Sequence, residues 1–229
     1  MKRCFLLVFI IFIVCTSFIK FNKTSFLARY RPDAFKSNIV VFRQTCNDNL
    51  FVPGDFDGDG RTDTLIYDNI SKISKKPVVN IPDFSEGGSP DKYLDSLKSD
   101  LYITLKNKKA DTLHLGLARG LFCLINIGDN NNDKRDEIAF VVDYCDFSNC
   151  NTCWVYTLCD KRWLELKKFN VHESAFYDEE NTAPVFEEIK GYLECRDKKW
   201  YYLDYFQWFN ASGPQDTIMK PLILKKRCR

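Results

Sequence analysis

Histidine is almost missing from this chain: only His114 and His172 occur in 229 residues. Neither has a second histidine at ligand spacing, so a histidine-based metal centre lacks its donors. Both read as ordinary surface or core-edge residues. Catalytic signatures are missing too. No G-x-S-x-G, H-E-x-x-H, P-loop or dinucleotide fingerprint occurs, so the familiar hydrolase, metalloprotease and nucleotide sites have no motif here. Charge of one sign is also lacking: 33 basic residues face 31 acidic ones, for a net charge of +2. Without a broad basic field, nucleic acid has no electrostatic claim on the protein. The closing Lys225-Lys226-Arg227 is too short to change that and reads as a solvated tail. Helical patterning is scarce. The longest candidate helix, around residues 173–188, is interrupted by Pro184.

What the chain does hold is apolar and aromatic bulk, at 45% and 15% of residues. A chain of this length can bury a substantial core, as one domain or two closely packed subdomains. Ten cysteines point to an oxidising compartment. Met1-Lys2-Arg3 followed by an apolar run from Cys4 to Ile19 reads as a secretory signal. The run is shorter than the ~20 residues that span a bilayer. Cleavage after Ser17 is the preferred reading. A lipid anchor through Cys15 and an uncleaved signal-anchor stopped by Lys20 and Lys23 are the alternatives. All three place the remainder outside the cytoplasm, secreted or at the cell surface. Membrane contact is then confined to the N-terminal segment. The organisation expected is a signal or anchor over 1–19, a linker over 20–37 and a single β-rich domain over 38–229.

Strands are predicted where β-branched and aromatic residues cluster or alternate. They cover 38–43, 64–67, 100–105, 112–117, 121–127, 137–142, 154–158, 163–166, 189–194 and 200–205. Residues 69–98 carry Pro77, Pro82, Gly87, Gly88 and Pro90 and read as a long surface loop, with a short helical turn over 91–97 capped by Ser89 or Asp91. The pattern predicts a mainly β fold of antiparallel sheets with little helix.

Two stretches stand out within it. Gly54-Asp55-Phe56-Asp57-Gly58-Asp59-Gly60-Arg61-Thr62-Asp63 places carboxylates on alternate positions of a glycine-rich loop. Asp129-Asn130-Asn131-Asn132-Asp133-Lys134-Arg135-Asp136-Glu137 repeats the spacing. Such rows are costly unless the side chains converge on a cation, and a hard oxygen-seeking ion, calcium, fits best. Counting from the first aspartate, positions 1, 3, 5 and 9 are Asp55, Asp57, Asp59 and Asp63 in one loop. They are Asp129, Asn131, Asp133 and Glu137 in the other. Position 7, Arg61 or Arg135, would offer its backbone carbonyl. Gly58 and Gly60 let the first loop fold tightly. An EF-hand is excluded, because position 12 is Ile66 or Phe140, inside apolar strand-like runs, where that motif needs a bidentate glutamate.

The position-9 acid leading into a strand resembles the FG-GAP, or VCBS, repeats of integrin α-subunit propellers and bacterial surface proteins. GDFDGDGRTDTLIY matches that pattern throughout. GDNNNDKRDEIAFVV departs at Lys134, where glycine is usual, so a strained backbone and less complete occupancy are expected there. The resemblance covers about residues 50–70 and 121–143. It implies propeller-blade-like repeats with calcium in a structural role.

Among the cysteines, Cys145, Cys150, Cys153 and Cys159 lie close together, and Cys150-Asn151-Thr152-Cys153 is a CxxC. A thioredoxin-type site would start a helix, whereas the residues after Cys153 are strand-like. A Cys4 zinc site lacks the usual knuckles. Disulfides are the plain expectation, drawn from Cys46, Cys123, Cys145, Cys150, Cys153, Cys159, Cys195 and Cys228 with the connectivity open. The aromatic run from Trp200 to Phe209 reads as a strand lining a core, with a ligand platform as the alternative. Two functions follow. One is a non-enzymatic, calcium-stabilised surface module that binds a protein or glycan. The other is a secreted hydrolase of polysaccharide or lipid whose acids, among Glu173, Asp178, Glu179, Glu187 and Glu188, form no motif.

Overall fold

The computed structural model describes residues 51–79, 81, 88–106, 112–146, 148–176, 187–205, 218–225 and 228. All of these belong to the compact unit Phe42–Arg229. The strand expected over 38–43, Cys46 and the predicted signal and linker lie outside the described residues.

The fold is mainly β, and its sheets repeat. The first contains β1 (Val52–Gly54), β2 (Asp63–Ser71), β3 (Ser99–Leu105) and β4 (Leu113–Gly116), paired in that order. The second contains β5 (Gly120–Gly128), β6 (Glu137–Asp143), β7 (Cys150–Cys159) and β8 (Arg162–His172), again in chain order. Every pairing is antiparallel, so each sheet is a simple meander. A smaller third sheet has the order β11 (Lys220–Pro221), β10 (Lys199–Tyr202), β9 (Leu193–Arg196). The helix α1 (Pro90–Ser96) is preceded by Ser89, with Pro90 at its start, where a missing N–H does no harm.

The burial pattern explains why the second sheet is the most apolar. All residues of β6 except Asp143 are buried, and they sort by alternation. Ile138, Phe140 and Val142 pack with Leu65, Leu101 and Ile103 of the first sheet. Ala139 and Val141 pack with Phe169, Leu193 and Leu222 on the side of the third sheet. A strand covered on both faces reads as an unbroken apolar run.

Some elements differ from expectation. β2 continues to Ser71, because Asn69 and Ser71 are buried and bonded, with Asn69 Nδ2 donating to Ala118 C=O and Ser71 Oγ to Leu97 C=O. β7 and β8 are longer than predicted and turn through Asp160 and Lys161, both at positive φ, as a two-residue hairpin requires. Only a 3-10 turn, Glu173–Phe176, occupies the start of the predicted helix, and residues 177–186 lie outside the described set. The strand expected over 189–194 is corrected: it begins at Leu193, because Gly191 at φ 79° turns the chain just before it. Among the described residues no helix is long and apolar enough to cross a membrane.

Candidate metal centre

Both acidic rows become the connections of hairpins at corresponding places. The first joins β1 to β2 and the second joins β5 to β6, the opening pair of each large sheet. The closing pairs also correspond, since Gly54 lies opposite Asp63 and Gly128 opposite Glu137. The position-9 acid therefore opens the outgoing strand, which is why an apolar run follows it at once.

The loop backbones share their unusual geometry. Positions 4 and 6 are left-handed in both: Gly58 and Gly60 at φ 76° and 78°, Asn132 and Lys134 at 60° and 71°. The strain expected at Lys134 is present, and asparagine at position 4 is a residue that tolerates it. In each loop the first aspartate accepts main-chain N–H groups. Asp55 takes those of Gly58 and Gly60, at 2.9 Å each. Asp129 takes those of Asp133 and Lys134, also at 2.9 Å each. The position-7 N–H then donates to the position-5 carboxylate, Arg61 to Asp59 at 2.9 Å and Arg135 to Asp133 at 3.1 Å.

Side-chain oxygens of Asp55, Asp57 and Asp59 lie within 4.8 Å of one another, and so do those of Asp129, Asp133 and Glu137. Asp63, though buried, is not in the first trio. The second site is the more enclosed. Glu137 is fully buried, with Oε2 accepting the Asn130 N–H at 2.8 Å and Oε1 accepting Asn131 Nδ2 at 2.6 Å. Asn131 and Asp133 are only 8% and 7% exposed, yet Asn131 Oδ1 and Asp133 Oδ2 have no hydrogen-bond partner. Buried oxygens left this way are expensive. Burial, outweighing the Asn130 N–H, and then the neighbouring charges of Asp133, Asp129 and Asp136 push the Glu137 carboxyl up to about 8. A divalent cation in the cluster would remove both penalties, because carboxylate and amide oxygens are the donors calcium prefers.

Residues absent from the prediction complete the geometry. Asp136 and Asn126 join the two loops, and Asn130 holds Glu137. Asp136 was legible only as one more acid in a row. At position 7 of the second loop the Arg135 stem lies close to Gly58, and its buried Nε has no partner.

The cysteine expectations divide. Cys159 and Cys228 are the disulfide candidate among the described residues, with Cα atoms 5.5 Å apart. Cys123, Cys145, Cys150, Cys153 and Cys195 are free thiols, which corrects the expectation for these five. Cys150 and Cys153 stand three residues apart on β7 and so face opposite sides of the sheet, which rules out a local bridge. Cys123 and Cys153 flank Val141 from the strands on either side of it. Burial holds both thiols in their neutral form, their pKa values well above the ordinary range. The side-chain clusters among the described residues that could hold a metal ion contain no cysteine.

The aromatic run behaves as a core strand where it is described. Trp200 and Tyr202 pack on the second core, Tyr202 against Phe169 at 5.1 Å, while Tyr201 lies under Arg196. Residues 206–209 are outside the described set, as are Asp178 and Glu179; Glu187 and Glu188 are exposed. His114 does find a partner, its Nδ1–H donating to Asp100 Oδ2 at 2.8 Å, with Lys72 Nζ 3.2 Å from the same oxygen. Comparison with family models, with curated proteins and with solved structures found no match for the chain.

Proposed function

We propose that the two hairpin loops bind calcium and that the protein is a non-enzymatic, exported, calcium-stabilised module that recognises a protein or glycan at the cell surface. The observation carrying the metal reading is the enclosed second loop. Its nine-tenths-buried Asn131 and Asp133 each keep an oxygen without a partner beside the fully buried Glu137. The first loop joins the reading through its shared backbone geometry and its converging Asp55, Asp57 and Asp59. The ion's role is structural. It neutralises each row and fixes the strands that the row connects, and the acids of the loops have no histidine or cysteine among their cluster partners. Two successive four-stranded meanders, each with a loop between its first two strands, support a relation to propeller blades of the FG-GAP type. Export rests on the N-terminal apolar run and the cysteine content.

Equilibrium dialysis against calcium tests the metal reading. The native chain should retain two ions, and Asp133→Ala should retain one. Retention of none at millimolar calcium would refute it.

A further inference from the structure

The two loops are not separate in space. The Asp136 N–H donates to the Asp55 carbonyl at 2.8 Å, and the Asp55 N–H donates to Asp136 Oδ2 at 3.0 Å. Asn126 Nδ2 donates to that same Oδ2 at 3.0 Å and to the Pro53 carbonyl at 2.8 Å. Two glycines of the first hairpin allow this approach. A Cβ on Gly54 would stand 2.7 Å from Asp136 Oδ2, and one on Gly58 would stand 2.8 Å from Arg135 Cγ. Both peptide groups flanking the Asp55 Cα are thus held by a residue of the second loop. Asp136 in turn sits between Arg135 and Glu137, so the clamp on Asp55 lies one residue from the position-9 acid of the second loop.

From this contact we infer that the loops form one coupled pair, in which filling either loop raises the affinity of the other for calcium. The inference rests on the calcium reading and adds to it the regulation of the site. Two opposing effects set the sign. Two bound cations repel, but each row carries several acids of its own, and those charges screen one ion from the other. Ordering of the shared Asp55–Asp136 contact is gained once and benefits both sites, so cooperativity is positive. Couplings of this kind amount to roughly 5- to 150-fold in affinity and must be equal in both directions.

The test is calorimetric titration of the chelator-stripped full chain with calcium chloride. Asp57→Ala combined with Asp59→Ala disables the first loop, and Asp133→Ala disables the second. Each remaining loop should bind at least about fivefold more weakly than in the intact chain, by the same factor. Asp136→Ala should let both loops fill but bring that factor close to one. Asp136→Asn, which keeps a carbonyl oxygen for the Asp55 N–H and the Asn126 amide, should restore it. Asn126→Ala provides the same reading if circular dichroism shows that Asp136→Ala does not fold. Loops that bind as tightly alone as together, or an Asp136→Ala chain with undiminished coupling, would overturn the coupling while leaving two calcium sites in place. An absence of any calcium heat in the intact chain would overturn both.

Discussion

Gly58 and Gly60 share a left-handed backbone but differ in surroundings, so alanine at the two positions separates the strain of a loop from the docking of two loops. At Gly60, φ is 78° and nothing lies within 4 Å of an added Cβ. The cost there is conformational alone, about 1–2 kcal/mol. At Gly58, φ is 76°, but the new Cβ would meet Arg135 Cγ at 2.8 Å and the Lys134 carbonyl at 3.2 Å. The arginine stem can swing aside, whereas the carbonyl belongs to a loop fixed by its own hydrogen bonds. Overpacking of this kind adds roughly 1–3 kcal/mol. Gly58→Ala should therefore destabilise by about 2–5 kcal/mol and Gly60→Ala by only about 1–2 kcal/mol. The assay is urea unfolding of both variants and the parent in excess chelator, so that ion binding plays no part. Midpoints should shift with little change in slope, because the surface exposed on unfolding is the same. Equal losses at the two glycines would refute the packing of residues 134–135 against the first hairpin.

Three further outcomes follow from other parts of the fold. Lys134→Gly keeps the main-chain donor to Asp129 and relieves a φ of 71°. It should gain about 0.5 kcal/mol in urea unfolding, the strain relieved exceeding the added chain entropy; a loss would mean that the lysine side chain supports the loop. Burial alone would raise the Asp100 pKa, but Lys72 and His114 outweigh it and hold it below the ordinary carboxylate range. Its contribution is therefore complete above about pH 4 and disappears as pH falls through the lowered value. Asp100→Asn should flatten the acid limb of the stability curve there, and an unchanged limb would count against the ion pair. Cys159→Ser removes a crosslink between residues separated by 69 in sequence and should lower stability by about 2–4 kcal/mol. Peptide mapping without reductant should show Cys159 joined to Cys228, and any other pairing contradicts it.

Local chemistry made the loops and most strands legible. Alternating acids with Gly58 and Gly60 specify a tight oxygen-rich turn, and the apolar run after Glu137 reads as a strand, whose cover on both faces is set by the two cores. β1 is only three residues long, Val52–Gly54, too short to show a strand pattern, although the register places Pro53 and Gly54 opposite Thr64 and Asp63. The outer portions of β7 and β8 carry polar residues, Asn151 and Thr152 in one and Lys167, Lys168 and Asn170 in the other, and their pairing comes from the hairpin register. The tie between Asp136 and Asp55 spans 81 residues, and no short-range pattern encodes such a contact. The free cysteines were hidden for the same reason, since a count of eight favours bridges while the sheet register keeps Cys123 and Cys153 two strands apart.

Calcium as a structural ion is best judged by a thermal melt of the full chain at millimolar calcium and again in excess chelator. With calcium near a hundred times its dissociation constant, binding to the folded state alone adds about 2.7 kcal/mol per site. For a chain of this size each filled site then raises the Tm by roughly 5–10 °C, and the two together by roughly 10–20 °C. Superimposable melts in calcium and in chelator would contradict the account.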